Sequence, residues 1–236
     1  MKWEDLKVYT PLAKEELKNA FKAFTKSIAD NLAPLGFRLN GRMIQRISQD
    51  VIQTIHIDTR GSWTGVSEHY TIAISIMPYC NTIFIHDELS GIVNIEEIVP
   101  NIRNHTRITL EHPLLADFIT RQIVAYVLPY FEQYRSTLEI AQNLRQFPTG
   151  NFSKRNEAVV IFTALKNHNK AVANEEIKKV MHHWNNSLSS LTKYFSTYLN
   201  DLNFFYDKLS ENDWESIDQK LKVDEEAVLK KLKFHR

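Results

Sequence analysis

Two hydrophobic periods alternate along this chain. From about Leu12 to Leu35, apolar residues recur every three or four positions. Leu17, Phe21, Phe24, Ile28, Leu32 and Leu35 draw one stripe, with Lys14, Glu15, Lys18, Lys22 and Lys26 mostly off it. That spacing predicts an amphipathic helix. Gly36 stands where a left-handed cap would end it, and Pro34 offers an end one turn sooner.

The period then falls from 3.6 to 2. RMIQRIS (42–48), DVIQTIHIDT (50–59) and HYTIAISIM (69–77) alternate apolar and polar residues, which predicts three strands. TIFIHD (82–87) reads as a fourth strand, and RITLEH (107–112) as a weaker fifth. The links are short, which suits an antiparallel meander. Tyr70, Ile72, Ile74 and Ile76 share a face that the opening helix is expected to cover. The opposite face, with Asp50, Ile52, Thr54, His56, Asp58, His69, Thr71, Ala73 and Ser75, is expected to be wet.

From Pro113 the helical period returns. Leu115, Ile119, Ile123 and Tyr126 form a stripe that Pro129 should kink or end. A further helix is expected at 138–144. The turn-rich QFPTGNFSKR suggests a domain boundary, with an α+β domain over 1–147 and a helical region over 148–236. In that region a heptad seam runs over about 174–209, through Ile177, Met181, Trp184, Leu188, Leu191, Phe195, Tyr198, Leu202, Phe205 and Leu209. As one helix it would be roughly 50 Å long; Asn, Ser and Thr near Asn185–Ser190 offer a break. Its flanks lack the charges of a zipper, so a bundle is favoured over a coiled-coil dimer. DEEAVLKKLKFHR reads as a short closing helix with leading acids and trailing bases.

Composition narrows the function classes. The net charge is +1 over 236 residues, with fifteen basic and sixteen acidic residues up to residue 150. Neither half is the basic body of a protein that lives on phosphate backbones, so nucleic acid is not an expected partner. Six glycines leave no Gly-rich phosphate loop. One cysteine, Cys80, allows no internal disulfide, and no apolar run is long enough for a membrane span. A cytoplasmic protein without membrane contact is expected.

Candidate chemistry is sparse. If the link around Trp63 is a hairpin, Asp58 lies across from His69, and His56, Asp58 and His69 could converge as metal ligands or as a base with its orienting acid. The plain alternative is a solvated face. Arg38, Arg42 and Arg46 fall at four-residue spacing, which in a strand puts them on one face able to hold phosphate or an acidic partner, or on a wet face of mixed charge. Trp63, in the loop GSWTG, is placed as a binding anchor or folds back over the sheet edge. His86, Asp87 and Glu88 form a loop cluster or a plain turn. His182 and His183 are adjacent on a helix and point about 100° apart. Cys80 reads as a small buried residue. No cofactor is implied.

LAPLGFRLNGRMIQRISQDVIQTIHIDTRG, the strand HYTIAISI and the later LLADFITRQIVAYVLPYFEQY resemble an uncharacterised family of bacterial domains of unknown function, over about residues 10–135. The resemblance implies a sheet-and-helix domain and carries no activity, cofactor or catalytic residue. The sequence reading is therefore an α+β protein: an antiparallel sheet of three to five strands under an N-terminal helix, followed by a helical bundle. A non-enzymatic binding or regulatory role is expected, with a protein partner or self-association. A metal-assisted hydrolase and a weak nucleic-acid binder are the alternatives.

Overall fold

The computed structural model describes residues 13–59, 70–80, 92–102, 113–144, 153–185 and 193–234. The expected strands at 82–87 and 107–112 lie outside these residues. The architecture is α+β. A five-stranded antiparallel sheet has the order β1 (Arg38–Asn40), β2 (Met43–Ser48), β3 (Val51–Thr59), β4 (Tyr70–Pro78), β5 (Ile92–Asn94). The chain divides into two compact units. One comprises Met1–Ile47, Gln53–Ser75 and Val93–Gln133, and the other Ser48–Ile52, Ile76–Ile92 and Tyr134–Arg236.

The first unit opens with α1 (Lys14–Leu32), whose first turn is closed by the Ala13 N–H donating to Glu16 at 2.9 Å. Phe24, Ile28 and Leu32 are buried, and the Phe24 ring lies 5.4 Å from that of Tyr70 on β4. Both expected stop signals act. Pro34 sits in a 3₁₀ turn over Ala33–Leu35, and Gly36 caps it at φ 85°. The tighter turn swings Leu35 out of the stripe, leaving it 41% exposed. A two-residue turn, Gly41–Arg42, then joins β1 to β2, with Arg38 opposite Gln45 and Asn40 opposite Met43. Gly41 supplies its positive φ of 62°.

After α2 (Ile95–Ile98), α3 (Leu115–Gln122) runs through a wide π turn, Ile123–Val127, into α4 (Leu128–Glu132). Pro129 neither ends nor interrupts this segment. The wide turn lies directly before it, where proline has no N–H to give and crowds the preceding carbonyl. The turn also resets the stripe. Leu115, Ile119, Ile123, Val127 and Phe131 are all buried at constant four-residue spacing. In a regular helix that spacing would drift by about 40° per step. The expected fourth member, Tyr126, is displaced to 41% exposure, and Val127 takes its place at 0%.

The second unit holds α5 (Thr137–Gln142), α6 (Ser153–Lys166), α7 (Lys170–Asn185), α8 (Lys193–Glu211) and α9 (Trp214–Lys231). The heptad seam is not one long rod. α7 and α8 pack on each other, and Ile177 and Val180 share a core with Tyr198, Leu202, Phe205 and Leu209. Residues more than 20 apart meet there, so the pattern belongs to two helices of a bundle with α6 and α9. The closing helix is longer than its charge pattern suggests. Asn212 ends α8 at φ 58°, and Asp213 caps α9 by accepting the Ser216 N–H at 3.1 Å.

Asp50, in the turn between β2 and β3, ties that turn to α5. Its carboxylate accepts the Thr137 N–H at 2.8 Å and the Thr137 hydroxyl at 2.5 Å. Asp50→Ala is expected to cost about 1–2 kcal/mol, the usual loss of a helix-capping side chain. Urea unfolding would measure it, and an unchanged midpoint would show that the tie carries no weight.

Candidate functional site

The face expected to be wet is wet at one end only. Ile52, Thr54 and Ser75 are buried, while His56, Asp58, Thr71 and Ala73 are half-buried. Alternation marks two faces, and here both are covered over much of the sheet, so the expected solvated face is corrected to a largely interior one.

The polar groups on the strands bond in two separate sets, one on each side of β2. The Gln45 amide donates to the Thr54 hydroxyl at 3.2 Å and accepts from Asn40 at 3.3 Å. Gln53, fully buried, accepts Arg46 Nε–H at 2.6 Å and donates to the Phe131 carbonyl at 2.8 Å. That carbonyl lies in the last turn of α4, where intrahelical donors run short. Arg46 also pairs with Glu132 at 2.8 Å and lies 4.8 Å over the Phe37 ring.

The three arginines do not share one face. The β1–β2 turn falls between them. Arg38 stands opposite Gln45, so its side of the sheet is not that of Arg46, the next residue along β2. Arg42, in the turn itself, pairs with Asp58 of β3 and reaches 5.9 Å over the Phe21 ring. Arg42 and Arg46 are thus each engaged by an acid and an aromatic ring.

His56 and Asp58, two apart on β3, fall on one side of the strand as expected. Asp58 is taken by Arg42. His69 and Trp63 lie outside the described residues, as do His86, Asp87 and Glu88. His182 is exposed on α7. Among the described residues no cluster of three His, Cys, Asp or Glu side chains is placed to hold a metal ion.

Cys80 is buried in the core of the second unit beside Phe162 and Leu165. Burial pushes its thiol well above the usual range, so the reactive thiolate is disfavoured. Nearby, Lys166 of α6 pairs with Glu225 of α9. Burial would lower the Lys166 ammonium, but Glu225 holds it above its ordinary value.

Two further clusters escape periodicity altogether. His168, at φ 51° between α6 and α7, stacks on Trp214 at 4.4 Å and bonds the Asp218 carboxylate at 3.0 Å. Lys220 of α9 joins Asp201 of α8 and Asp224 of α9. The one available signal was the four-residue Lys220–Asp224 spacing. An open groove follows α9, with Phe204 and Val223 as its apolar part and Glu215, Asp218, Lys220 and Lys222 among its lining.

Comparisons with models of protein families, with curated proteins and with solved structures return no match for this chain. Among the described residues no helix is long and apolar enough to cross a membrane.

Proposed function

We propose that the chain is a cytosolic binding or regulatory protein that engages a protein partner and carries no catalytic centre of its own. The supporting observation is how the sheet spends its polar groups. Gln45, Arg46, Gln53, Thr54 and Asp58 bond to one another, to a helix carbonyl or to an ion-pair partner within the fold. They hold strands and helix together, which leaves recognition to the outer surface. Of the seam, Ile177, Tyr198, Leu202, Phe205 and Leu209 lie inside their own bundle, which disfavours a second copy docking through that part of it.

Light scattering of the full chain is expected to give the monomer mass of 27.6 kDa; a concentration-independent dimer would count against a separate partner. Affinity purification from the native cell, read by mass spectrometry, is expected to recover one protein in stoichiometric amount. Tight zinc or manganese binding that His56→Ala abolishes would overturn this reading in favour of a metal-assisted hydrolase.

A further inference from the structure

The outer edge of β1 is the open half of a strand pair. β1 ends the sheet. The two-residue turn makes Asn40 and Met43 a hydrogen-bonded pair, and such pairs alternate along an antiparallel ladder. Arg38 and Asn40 therefore turn their backbone groups to β2, and Leu39 turns its N–H and C=O away from it. The next ladder agrees in phase. The Arg42 carbonyl accepts the Ile57 N–H of β3 at 3.1 Å, so Ile44, opposite Leu39, also bonds to β3. Leu39 is 40% exposed, and its outward groups have no partner among the described residues.

The free charge beside this edge has one sign. α1 packs along β1, with the Phe21 ring under Arg42 of the β1–β2 turn. Lys18 and Lys22 are exposed on α1, on the side that farther along buries Thr25 and Ala29. Lys26 is matched by Asp30, whereas Lys18 and Lys22 have no ion-pair partner among the described residues. Arg38 adds an exposed guanidinium on the strand itself. Asp58, the acid at the turn, is held by Arg42.

We propose that the β1 edge receives an extended, acidic segment of a partner protein. The segment adds a strand through Leu39, with its carboxylates set against Lys18 and Lys22 on one side and Arg38 on the other. This rests on the partner-binding reading above and names the partner's chemistry. Strand groups without a ladder select another extended backbone. A three-residue edge gives few hydrogen bonds, so charge supplies the rest of the recognition. The same charge selects against a second copy, because two β1 edges would bring like cations together.

Fluorescence polarisation of the full chain with a labelled peptide of alternating valine and glutamate tests this. Saturable binding is expected, weakened by salt and about tenfold tighter than for the peptide with lysine in place of glutamate. Leu39→Pro removes an N–H that β2 does not use, so the fold is kept. It is expected to weaken binding about tenfold. No binding, equal affinity for the two peptides, or an unaffected Leu39→Pro overturns the proposal. Should Leu39→Pro not fold, the exposed pair Lys18→Glu and Lys22→Glu decides: about a tenfold loss supports the seat, and unchanged affinity overturns it. A dimer in light scattering that Leu39→Pro dissolves would give the edge to a second copy and overturn the acidic segment. Affinity purification from the native cell separates the two readings. A partner recovered equally by the wild type and Leu39→Pro overturns the edge alone, and recovery by neither overturns the partner-binding reading with it.

Discussion

Phe205→Ala is expected to remove about 3–5 kcal/mol of stability from the helical unit. Phe205 is fully buried on α8, meets the Phe162 ring edge-on at 5.9 Å and the Phe204 ring at 5.5 Å, and underlies Lys220. Truncation deletes a whole ring from a core that α6 and α8 cannot close without moving, so the transfer loss and the cavity add. Against a typical total of about 5–15 kcal/mol, that brings the unit near its unfolding limit. Equilibrium unfolding followed by circular dichroism at 222 nm measures it. A loss under about 1 kcal/mol would mean that the site collapses around the alanine and that the bundle is softer than its packing implies.

Gln53→Met is the second large effect, expected at about 2–4 kcal/mol. Methionine fills nearly the same volume, so packing is largely kept. What is lost is a two-sided bond: the Phe131 carbonyl loses its donor and Arg46 Nε–H its acceptor. The Phe131 carbonyl stays buried and Arg46 half-buried, so neither recovers the loss from water at no cost. Gln53→Glu keeps the acceptor but puts a second oxygen against the carbonyl, and is expected to cost as much again. A methionine variant as stable as the wild type would show that water reaches both partners and that the bond carries no weight.

How far the sequence shows this fold depends on the length scale. β2, β3 and β4 were visible because six to nine alternating residues carry an unambiguous period. β1 and β5, three residues each, cannot show a period and exist through pairing alone. The wide turn before Pro129 was hidden for another reason. A stripe at 3.6 and a stripe reset by one extra residue differ only in whether Tyr126 or Val127 faces inward, and both are hydrophobic.

Site residues were less legible still. Arg38, Arg42 and Arg46 looked like one set because spacing does not reveal the Gly41 turn that separates them. Thr54 and Ser75 looked wet because alternation tells one face from another without saying what lies against either. The Asp201–Lys220–Asp224 cluster needs two helices to come together, a fact no single-helix pattern contains.

The lone thiol, sealed inside the bundle and kept protonated there, gives the molecule its own opening gauge. A disulfide-exchange reagent can label Cys80 only while the surrounding helices part, so the labelling rate under native conditions reads the free energy of that local breathing without any introduced probe.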